Sequence, residues 1–229
     1  MRATEEIDPG TVPVYSVPQA AHYVGMPTTT LRSWVRGRSY PVREGEAWSD
    51  PLTVLPGEAR RLCFYNLVEA HMLSAFRWQA GVQMGRIRLA LQNLRTRFAN
   101  EQFPFATRAF ITDGATLFLE EAEGLIDLSA PNQRLIEKAI RINARRVRWA
   151  NGRARLFFPL TRQEPESPRR VVIDPRIGFG RPTVEGVSTA VLVERFRAGE
   201  SLGDLSNDYG LTVIDIEEAI RCESWERAA

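Results

Sequence analysis

Cysteine, histidine and lysine are scarce in this chain, and their scarcity excludes several kinds of site. The two cysteines, Cys63 and Cys222, and the two histidines, His22 and His71, are too few and too scattered for a disulfide framework or a structural zinc site. Lys138 is the sole lysine, so every other cationic side chain is an arginine. We therefore expect neither a metal nor a cofactor.

Long apolar runs are missing as well. No stretch of about 18 apolar residues occurs, which excludes a membrane-spanning helix of the usual length. The N-terminus carries Glu5 and Glu6 and lacks the apolar core of a signal peptide. These features predict a cytoplasmic protein that does not associate with membranes.

No group of side chains indicates catalysis. His22 and His71 both fall in predicted helices, and Cys63 lies beside Phe64 in an apolar stretch that is typical of a buried thiol. No pair of carboxylates stands out as a metal site. A nuclease or recombinase is therefore disfavoured, and we expect a protein that is not an enzyme.

The charge is unevenly distributed along the 229 residues, although the net charge is only +2. Residues 51–100 carry seven Arg against two acids, and residues 141–181 carry eleven Arg against three acids. Residues 194–229 carry four Arg against nine acids. A basic body with an acidic end predicts anion binding by the first part and a different partner for the last.

A helix-turn-helix is predicted near the N-terminus. Ser16 can cap a helix that has Pro18 in its first turn, and Gly25 can take the left-handed conformation that ends it. Small Ala21 lets a second helix cross closely, and Leu31 and Trp34 fill the angle between the two. These intervals of four, six and three residues are typical of a helix-turn-helix.

The second helix of this unit would present hydroxyls and guanidiniums outward, as a major-groove reader needs. The alternative is an ordinary helical hairpin with a solvated arginine face. The candidate DNA-binding residues on this helix are Thr28, Thr29, Thr30, Arg32, Ser33 and Arg36.

Residues 14–98 resemble the DNA-binding domain of the mercury-resistance-regulator (MerR) family. The resemblance implies a winged helix-turn-helix over residues 1–100, with a wing at Tyr40–Pro56 that carries Arg38 and Arg43 towards phosphates. A third helix is expected from Leu62 to about Trp78, and a fourth at Ile87–Phe98, beyond Gly81. The family continues into a dimerisation coiled coil, whereas this sequence turns to strands, which argues against sensing of a small molecule or metal.

Residues 101–170 predict a strand-rich connection that ends in a linker. The linker, residues 162–170, is polar and proline-containing. A helix is predicted at Leu135–Arg146, where apolar residues recur at helical spacing. The predicted strands are Ala109–Thr112, Leu117–Glu120 beyond a turn at Asp113-Gly114, Arg155–Pro159 and Val171–Ile173.

A three-helix unit is predicted at residues 171–229. Taken together, the predicted elements make the whole chain mainly α with a smaller β portion, an α+β fold. The helices of the three-helix unit are expected at Ala190–Ala198, Leu202–Tyr209 and from Thr212 to about Cys222. Ser206, Gly210, Ile216 and Ala219 repeat the four, six and three spacing. The last helix would present Asp215, Glu217 and Glu218, whose carboxylates are repelled by the phosphates of DNA. This acidic face is therefore expected either to be solvated or to bind a basic protein.

Three ordered segments of the C-terminal unit resemble the family called domain of unknown function 433. They are Asp174-Pro175-Arg176-Ile177, Gly180-Arg181-Pro182-Thr183-Val184-Glu185-Gly186-Val187 and Asp208-Tyr209-Gly210-Leu211-Thr212. The resemblance implies an antitoxin of the VapB kind, which neutralises a PIN-like ribonuclease toxin and binds operator DNA to autoregulate transcription. A homodimer is expected, because one short reading helix rarely gives enough affinity and paired half-sites multiply it. Candidate toxin-binding guanidiniums flank the motif: Arg169, Arg170, Arg176 and Arg181. The alternative is a stand-alone MerR-like transcriptional regulator without a toxin.

Overall fold

The computed structural model describes residues 7–56, 60–97, 101–107, 138–162 and 167–224. The expected α+β class is confirmed. The strands expected at 109–112 and 117–120, and the turn at 113–114, lie outside the described residues. The helices are α1 (Val17–Val24), α2 (Thr28–Arg36), α3 (Phe64–Ser74), α4 (Met84–Arg97), α5 (residues 138–144), α6 (Thr189–Arg197), α7 (Leu202–Tyr209) and α8 (Val213–Ser224).

The strands form two antiparallel sheets. The small sheet pairs β1 (Arg38–Val42) with β2 (Gly45–Ser49). The larger sheet has five strands in sequence order: β3 (Val147–Ala150), β4 (Arg153–Phe157), β5 (Val171–Ile173), β6 (Pro182–Val184) and β7 (Val187–Ser188).

The N-terminal helix-turn-helix forms as its residues predict. Ser16 and Gln19 form a reciprocal capping box at the start of α1, and Gly25 ends the helix at φ 70° in the left-handed region. Leu31 and Trp34 of α2 are buried against α1, where Ala21 permits the close crossing. The indole of Trp34 also stacks on that of Trp78, with ring centroids 5.6 Å apart.

The expected wing is the hairpin of β1 and β2. Its register pairs Arg38 with Ser49 and Val42 with Gly45, which leaves Arg43 and Glu44 in the tight turn at the tip. The chain then returns to α2, where the Leu52 amide donates to the Trp34 carbonyl over 2.6 Å. The wing is therefore fixed at its base to the second helix of the helix-turn-helix.

Helix α3, which carries His71, is the centre of the large core and has no solvent-facing side over most of its length. Every residue from Phe64 to Leu73 is buried, because α1, the turn at Pro104–Ala106 and β4 cover it on different sides. The expected extension towards Trp78 is a single wider, π-helical turn at Ala75–Gln79, and Gly81 follows at φ 67°.

The carboxyl group of Glu69 and the imidazole ring of His71 are buried in α3. Glu69 accepts a hydrogen bond from the Thr53 hydroxyl, and burial raises the pKa of its carboxyl to about 8. The ring of His71 lies 3.3 Å from the Asn143 carbonyl oxygen through Nε2, and burial lowers its pKa to about 3. Both groups are therefore uncharged in the folded protein near neutral pH.

The five-stranded sheet continues from the middle region into the C-terminal unit, across residue 170. Phe157 of β4 pairs with Ile173 of β5. Two-residue turns close the flanking hairpins with positive φ angles, at Asn151-Gly152 (52° and 78°) and at Glu185-Gly186 (45° and 83°). Such turns match the right-handed twist of the strands that they join.

A buried guanidinium holds the segment between β4 and β5. Arg146 donates to the carbonyls of Phe158 (2.8 Å), Pro159 (2.6 Å) and Ser167 (2.8 Å). Burial lowers the pKa of Arg146 to about 10, so the group stays charged at neutral pH. One side chain thus fixes the chain on both sides of the expected linker, whose residues 163–166 lie outside the described part.

The three C-terminal helices enclose a second, smaller core. Val184, Leu192, Leu205 and Ile216 are fully buried in it. Ser201 and Asp204 form a capping box at the start of α7, and Gly210 ends that helix at φ 65°. Cys222, near the end of α8, packs into the large core instead, so α8 joins the two cores.

Among the described residues, no helix combines the length and the apolar character needed to cross a membrane.

Candidate nucleic-acid interface and partner surface

The second helix of the N-terminal unit presents a polar, basic face to solvent. Thr29, Arg32 and Arg36 are exposed and lie three and four residues apart, which places them on one side of α2. Thr28, Thr30 and Ser33 are half-buried, and the Ser33 hydroxyl donates to the Thr30 carbonyl over 2.8 Å. The structure thus divides the six predicted residues into three that point outward and three that lie closer to the protein.

A cleft of about 520 Å³ lies directly beside this face. Its described lining comes from α2, the base of the wing, the π-helical turn after α3 and the start of α4. This lining has no carboxylate and includes four guanidiniums: Arg32, Arg38, Arg77 and Arg88. The cleft therefore carries a concentrated positive charge next to the exposed face of α2. An anionic ligand as extended as a phosphate backbone could contact both.

Arg77 and Arg88 were missed by the sequence reasoning. Arg88 donates to the Asp50 carbonyl at the end of the wing, and burial lowers its pKa from the ordinary value, with Arg38 adding to the effect. Arg77 lies in the π-helical turn after α3 and is exposed. The basic charge of residues 51–100 indicated anion binding by this region. It did not indicate which of its arginines lie near α2 in the folded chain.

The wing extends the same surface. Arg43 is exposed in the turn at its tip, and Arg38 begins β1 at the edge of the cleft. Trp48 is 60% exposed, and Tyr40 and Val42 are also exposed. The two predicted wing arginines therefore occupy opposite ends of the hairpin, with aromatic side chains between them.

The C-terminal helix-turn-helix uses its second helix differently, and this corrects the expectation of an outward acidic face. Asp215 and Glu218 of α8 are buried. Arg170 contacts the Asp215 carboxylate over 2.6 Å, and Glu218 accepts from Thr161 over 2.5 Å and from Arg162. Glu217 is half-exposed and pairs with Arg221. The basic groups that contact this acidic face are therefore arginines of the same chain.

These contacts set the ionisation of both buried acids. Burial alone would raise the pKa of Glu218, but hydrogen bonds from Thr161 and Arg162 and the charges of Arg162 and Arg221 outweigh it, so the pKa lies below its ordinary value. The pKa of Asp215 is lowered in the same way, against burial, by hydrogen bonds from Thr212 and Arg170. Both carboxylates are therefore ionised at neutral pH.

The four arginines predicted for toxin binding are exposed, and three of them have contacts within the chain. Arg170 pairs with Asp215, and Arg176 makes a two-point contact with Asp174 at 3.1 Å for each nitrogen. Arg169 donates to the Arg145 carbonyl over 2.9 Å. Arg176 and Arg181 lie in the loop between β5 and β6, at the opposite end of β5 from Arg169 and Arg170.

Hydrogen bonds from Tyr15 and His22 link the N-terminal and C-terminal units directly. The Tyr15 hydroxyl, just before α1, donates to the Gly180 carbonyl over 2.6 Å. His22 of α1 contacts the Cys222 carbonyl of α8 through Nε2 at 2.5 Å. The first helix of one helix-turn-helix is therefore hydrogen-bonded to the last helix of the other.

Within the described ranges, no group of three or more His, Cys, Asp or Glu residues is placed to hold a metal ion. Cys63 is buried, and burial raises the pKa of its thiol to about 12. A thiol with that pKa is overwhelmingly protonated at neutral pH and is a poor nucleophile.

Both units match known families. Residues 13–91 match the family described as "Putative DNA-binding HTH domain", and residues 171–221 match "Protein of unknown function (DUF433)". The second match confirms the resemblance seen in the sequence. The first identifies α1 to α4 as a helix-turn-helix of a DNA-binding type, whereas the likeness to mercury-resistance regulators stays a prediction.

Full-length relatives occur in Mycobacterium tuberculosis. The uncharacterized protein Rv2308 is 30% identical, over 90% of this chain and 88% of the relative. The chain belongs to the Rv2308 family. A second protein, named "Putative antitoxin VapB45", is 29% identical over 91% of this chain and 93% of its own length.

The Rv2308-family fold is also present in a solved structure. The X-ray crystal structure of Rv2018 from Mycobacterium tuberculosis superimposes with a TM-score of 0.66, at 26% sequence identity, over 91% of this chain and 98% of that one. The order of a helix-turn-helix unit, a middle region and a C-terminal helical unit is thus shared over nearly the whole chain.

Proposed function

We propose that this chain is the antitoxin of a type II toxin–antitoxin system. In this proposal the N-terminal unit binds operator DNA and represses the chain's own gene, and the C-terminal half binds and neutralises a PIN-like ribonuclease. The observation that carries the proposal is the exposed face of Thr29, Arg32 and Arg36 above an arginine-lined cleft. Support for the antitoxin role comes from the similarity, over nine-tenths of the chain, to a protein named as an antitoxin.

The DNA-binding mode follows from the geometry of α2, the wing and the cleft. Arg32 and Arg36 read base edges in the major groove, with Thr29 at the start of the helix. Arg38, Arg43, Arg77 and Arg88 contact phosphates on either side, which fixes the register of the helix without reading sequence. A helix as short as α2 offers few base contacts, so we propose that a homodimer reads two half-sites.

The ribonuclease is neutralised by the C-terminal half in this scheme. Arg169, Arg170, Arg176 and Arg181 are the candidate contacts, and their places in the fold differ. Arg170 is paired with the buried Asp215 of α8. Arg181, and Arg176 with its ion pair to Asp174 of the same loop, lie in a loop that faces solvent. The loop arginines are therefore the better candidates for a partner carboxylate.

A binding measurement tests both halves of the proposal. The full-length chain is titrated into the duplex upstream of its own gene at about 50 mM and about 200 mM salt, with and without the protein encoded by the adjacent gene. We expect the duplex affinity to fall by about 100-fold or more between the two salt concentrations, because neutralised phosphates release counterions.

The adjacent gene product is expected to bind the chain and to lose ribonuclease activity when bound. Recovery of the chain alone after co-expression would instead favour the regulator without a toxin. A salt-independent duplex affinity would contradict phosphate contact by the arginine cleft.

A further inference from the structure

The loop between β5 and β6, residues 174–181, presents two apolar side chains to solvent. Phe179 is 83% exposed and Ile177 is 50% exposed. No other large hydrophobic side chain in the described part of the chain is as exposed as Phe179. Burying such a ring against a partner stabilises a complex through the apolar area that it removes from water.

The backbone of this loop is strained in a way that keeps the ring outward. Phe179 has a φ of 57°, in the left-handed region that a bulky aromatic residue rarely adopts, between Gly178 at 55° and Gly180 at 72°. A residue held there costs stability, so the surrounding structure must impose it. Such outliers are concentrated at functional positions.

The surrounding contacts do impose this conformation. The Tyr15 hydroxyl binds the Gly180 carbonyl over 2.6 Å, and a Cβ on Gly180 would lie 2.3 Å from the same hydroxyl oxygen. The Gly180 amide donates to the Ile177 carbonyl over 2.9 Å, and the Arg176 amide donates to Asp174 over 2.9 Å. The loop is thus fixed at both ends, which lowers the entropy that a partner would have to remove on binding.

The charge around the ring is positive. Arg176 and Arg181 are exposed on either side of it in the loop, and Asp174, at the start of the loop, is buried and paired with Arg155 and Arg176. An isologous contact between two copies of this loop would bring like charges together. Duplex DNA offers a phenyl ring no preformed apolar pocket and must unstack a base step to receive one, which costs a few kcal/mol.

We propose that Phe179, with Ile177, is the apolar anchor by which this chain docks into a pocket of a partner protein that has carboxylates at its rim, where Arg176 and Arg181 pair with them. The inference rests on the proposed function for the partner's identity. It adds the position and the chemistry of the docking surface.

The test uses the full-length chain and the purified protein encoded by the adjacent gene, with the dissociation constant measured by calorimetry. Phe179→Ala should weaken the complex by about 30-fold or more, as a truncated central aromatic anchor does. Phe196→Ala, which removes an exposed ring from α6, is the matched control and should change affinity less than about threefold.

A second variant separates binding from folding. Phe179→Gly should weaken the complex as strongly as Phe179→Ala, yet raise the melting temperature by about 2–5 °C, because glycine adopts the left-handed conformation without strain. Affinity for the upstream duplex should stay unchanged in both variants.

Each outcome separates the inference from the function on which it rests. If the wild-type chain does not bind the neighbouring protein, the proposed function fails and the inference with it. If the wild-type chain binds and both Phe179 variants bind equally well, the inference alone is wrong. If the variants instead change the sedimentation of the chain alone, or its duplex affinity, the loop serves self-association or nucleic acid and the inference is overturned.

Discussion

The two helix-turn-helix units share one spacing and use it for opposite purposes. In the first, α2 turns Thr29, Arg32 and Arg36 to solvent beside an arginine-lined cleft. In the second, α8 turns Asp215 and Glu218 onto arginines from its own chain. The repeated small residue, glycine and apolar pair therefore specify how two helices cross, whereas the remaining face of the second helix determines what, if anything, it can bind.

The buried carboxylates of the two units also differ, in whether arginines contact them and in the direction of their pKa shift. Glu69, in the large core, has Thr53 as its hydrogen-bond donor and is uncharged at neutral pH, with its pKa raised to about 8 by burial. Glu218, at the base of the small core, contacts Arg162 and Arg221, and its pKa is lowered. The two buried carboxylates thus shift in opposite directions, because hydrogen bonds and cations in contact outweigh the loss of water at Glu218.

The largest effect is expected from removing the exposed guanidiniums of α2. Arg32→Ala with Arg36→Ala should weaken binding to the upstream duplex by about 100-fold, since each base-contacting arginine contributes about 1–3 kcal/mol. Both side chains are exposed, so the melting temperature should stay within a degree or two.

The control for this pair removes the same charge elsewhere. Arg141→Ala with Arg197→Ala takes two exposed guanidiniums from α5 and α6. If the two double variants weaken duplex binding equally, the affinity reflects overall charge, and the contrast between α2 and the rest of the surface disappears.

A smaller effect, on stability, is expected from Glu218→Ala. The change leaves Thr161 without its acceptor and removes the carboxylate between Arg162 and Arg221, at a cost of about 2 kcal/mol; the two arginines stay partly in water, which limits the loss. Denaturant unfolding measures it. Glu217→Ala, on the exposed side of the same helix, should cost no more than about 0.5 kcal/mol. Equal costs would show that α8 does not depend on its buried acid.

The pH dependence of stability sharpens the comparison of the two buried acids. The folded state keeps the Glu69 proton up to about pH 8, whereas the unfolded chain releases it near the ordinary value of 4.5. The folded state therefore binds more protons in this window, and stability must fall as pH rises. Between pH 6.5 and 8 we expect a loss of about 1.5 kcal/mol from this group.

Two other groups act mainly below that window. His71, with its pKa lowered to about 3, makes stability rise with pH from about 3 to about 7, since only the unfolded chain binds its proton there. Glu218 contributes stability that is present above its unfolded pKa and is lost in acid. Thermal melts of the wild type and Glu69→Gln at pH 6.5 and 8 isolate Glu69. The variant should show the smaller decline, and parallel declines would contradict a protonated Glu69.

The smallest effect is expected where the two units meet. Tyr15→Phe removes the hydroxyl that donates to the Gly180 carbonyl and should cost about 1 kcal/mol, since that carbonyl loses its buried donor. The same change should loosen the loop that carries Phe179. Tyr40→Phe, on the exposed wing, is the control and should leave stability unchanged. Equal stability of the two variants would mean that the units do not support each other through Tyr15.

Local signals made the N-terminal unit predictable. Ser16, Gly25 and Trp34 act within a few residues of themselves, as cap, helix stop and core side chain, so their sequence neighbours suffice to assign them. The same holds for α7, whose bounds, Leu202–Tyr209, were predicted from Ser201 and Gly210. The wing and the third and fourth helices followed from the family resemblance, with bounds that shifted by a few residues.

Long-range contacts account for what the sequence did not reveal. The inward position of Glu218 depends on Thr161 and Arg162, which lie more than fifty residues earlier in the chain. Helical periodicity cannot show which face a distant segment will cover. The positions of Arg77 and Arg88 in the cleft beside α2 could not be predicted for the same reason, since they depend on contacts between distant segments. The Asn151-Gly152 turn, by contrast, was a local hairpin signal that went unused.

The continuous five-stranded sheet has a consequence for any attempt to excise the family-matched segment, residues 171–221. Cutting before Val171 removes β4, the neighbour of β5, and leaves an open sheet edge whose amides and carbonyls invite pairing with other molecules. It also strips Asp215 and Glu218 of Arg170, Thr161 and Arg162. We expect such a fragment to aggregate, whereas one that begins ahead of β3 retains the donors and the covered edge.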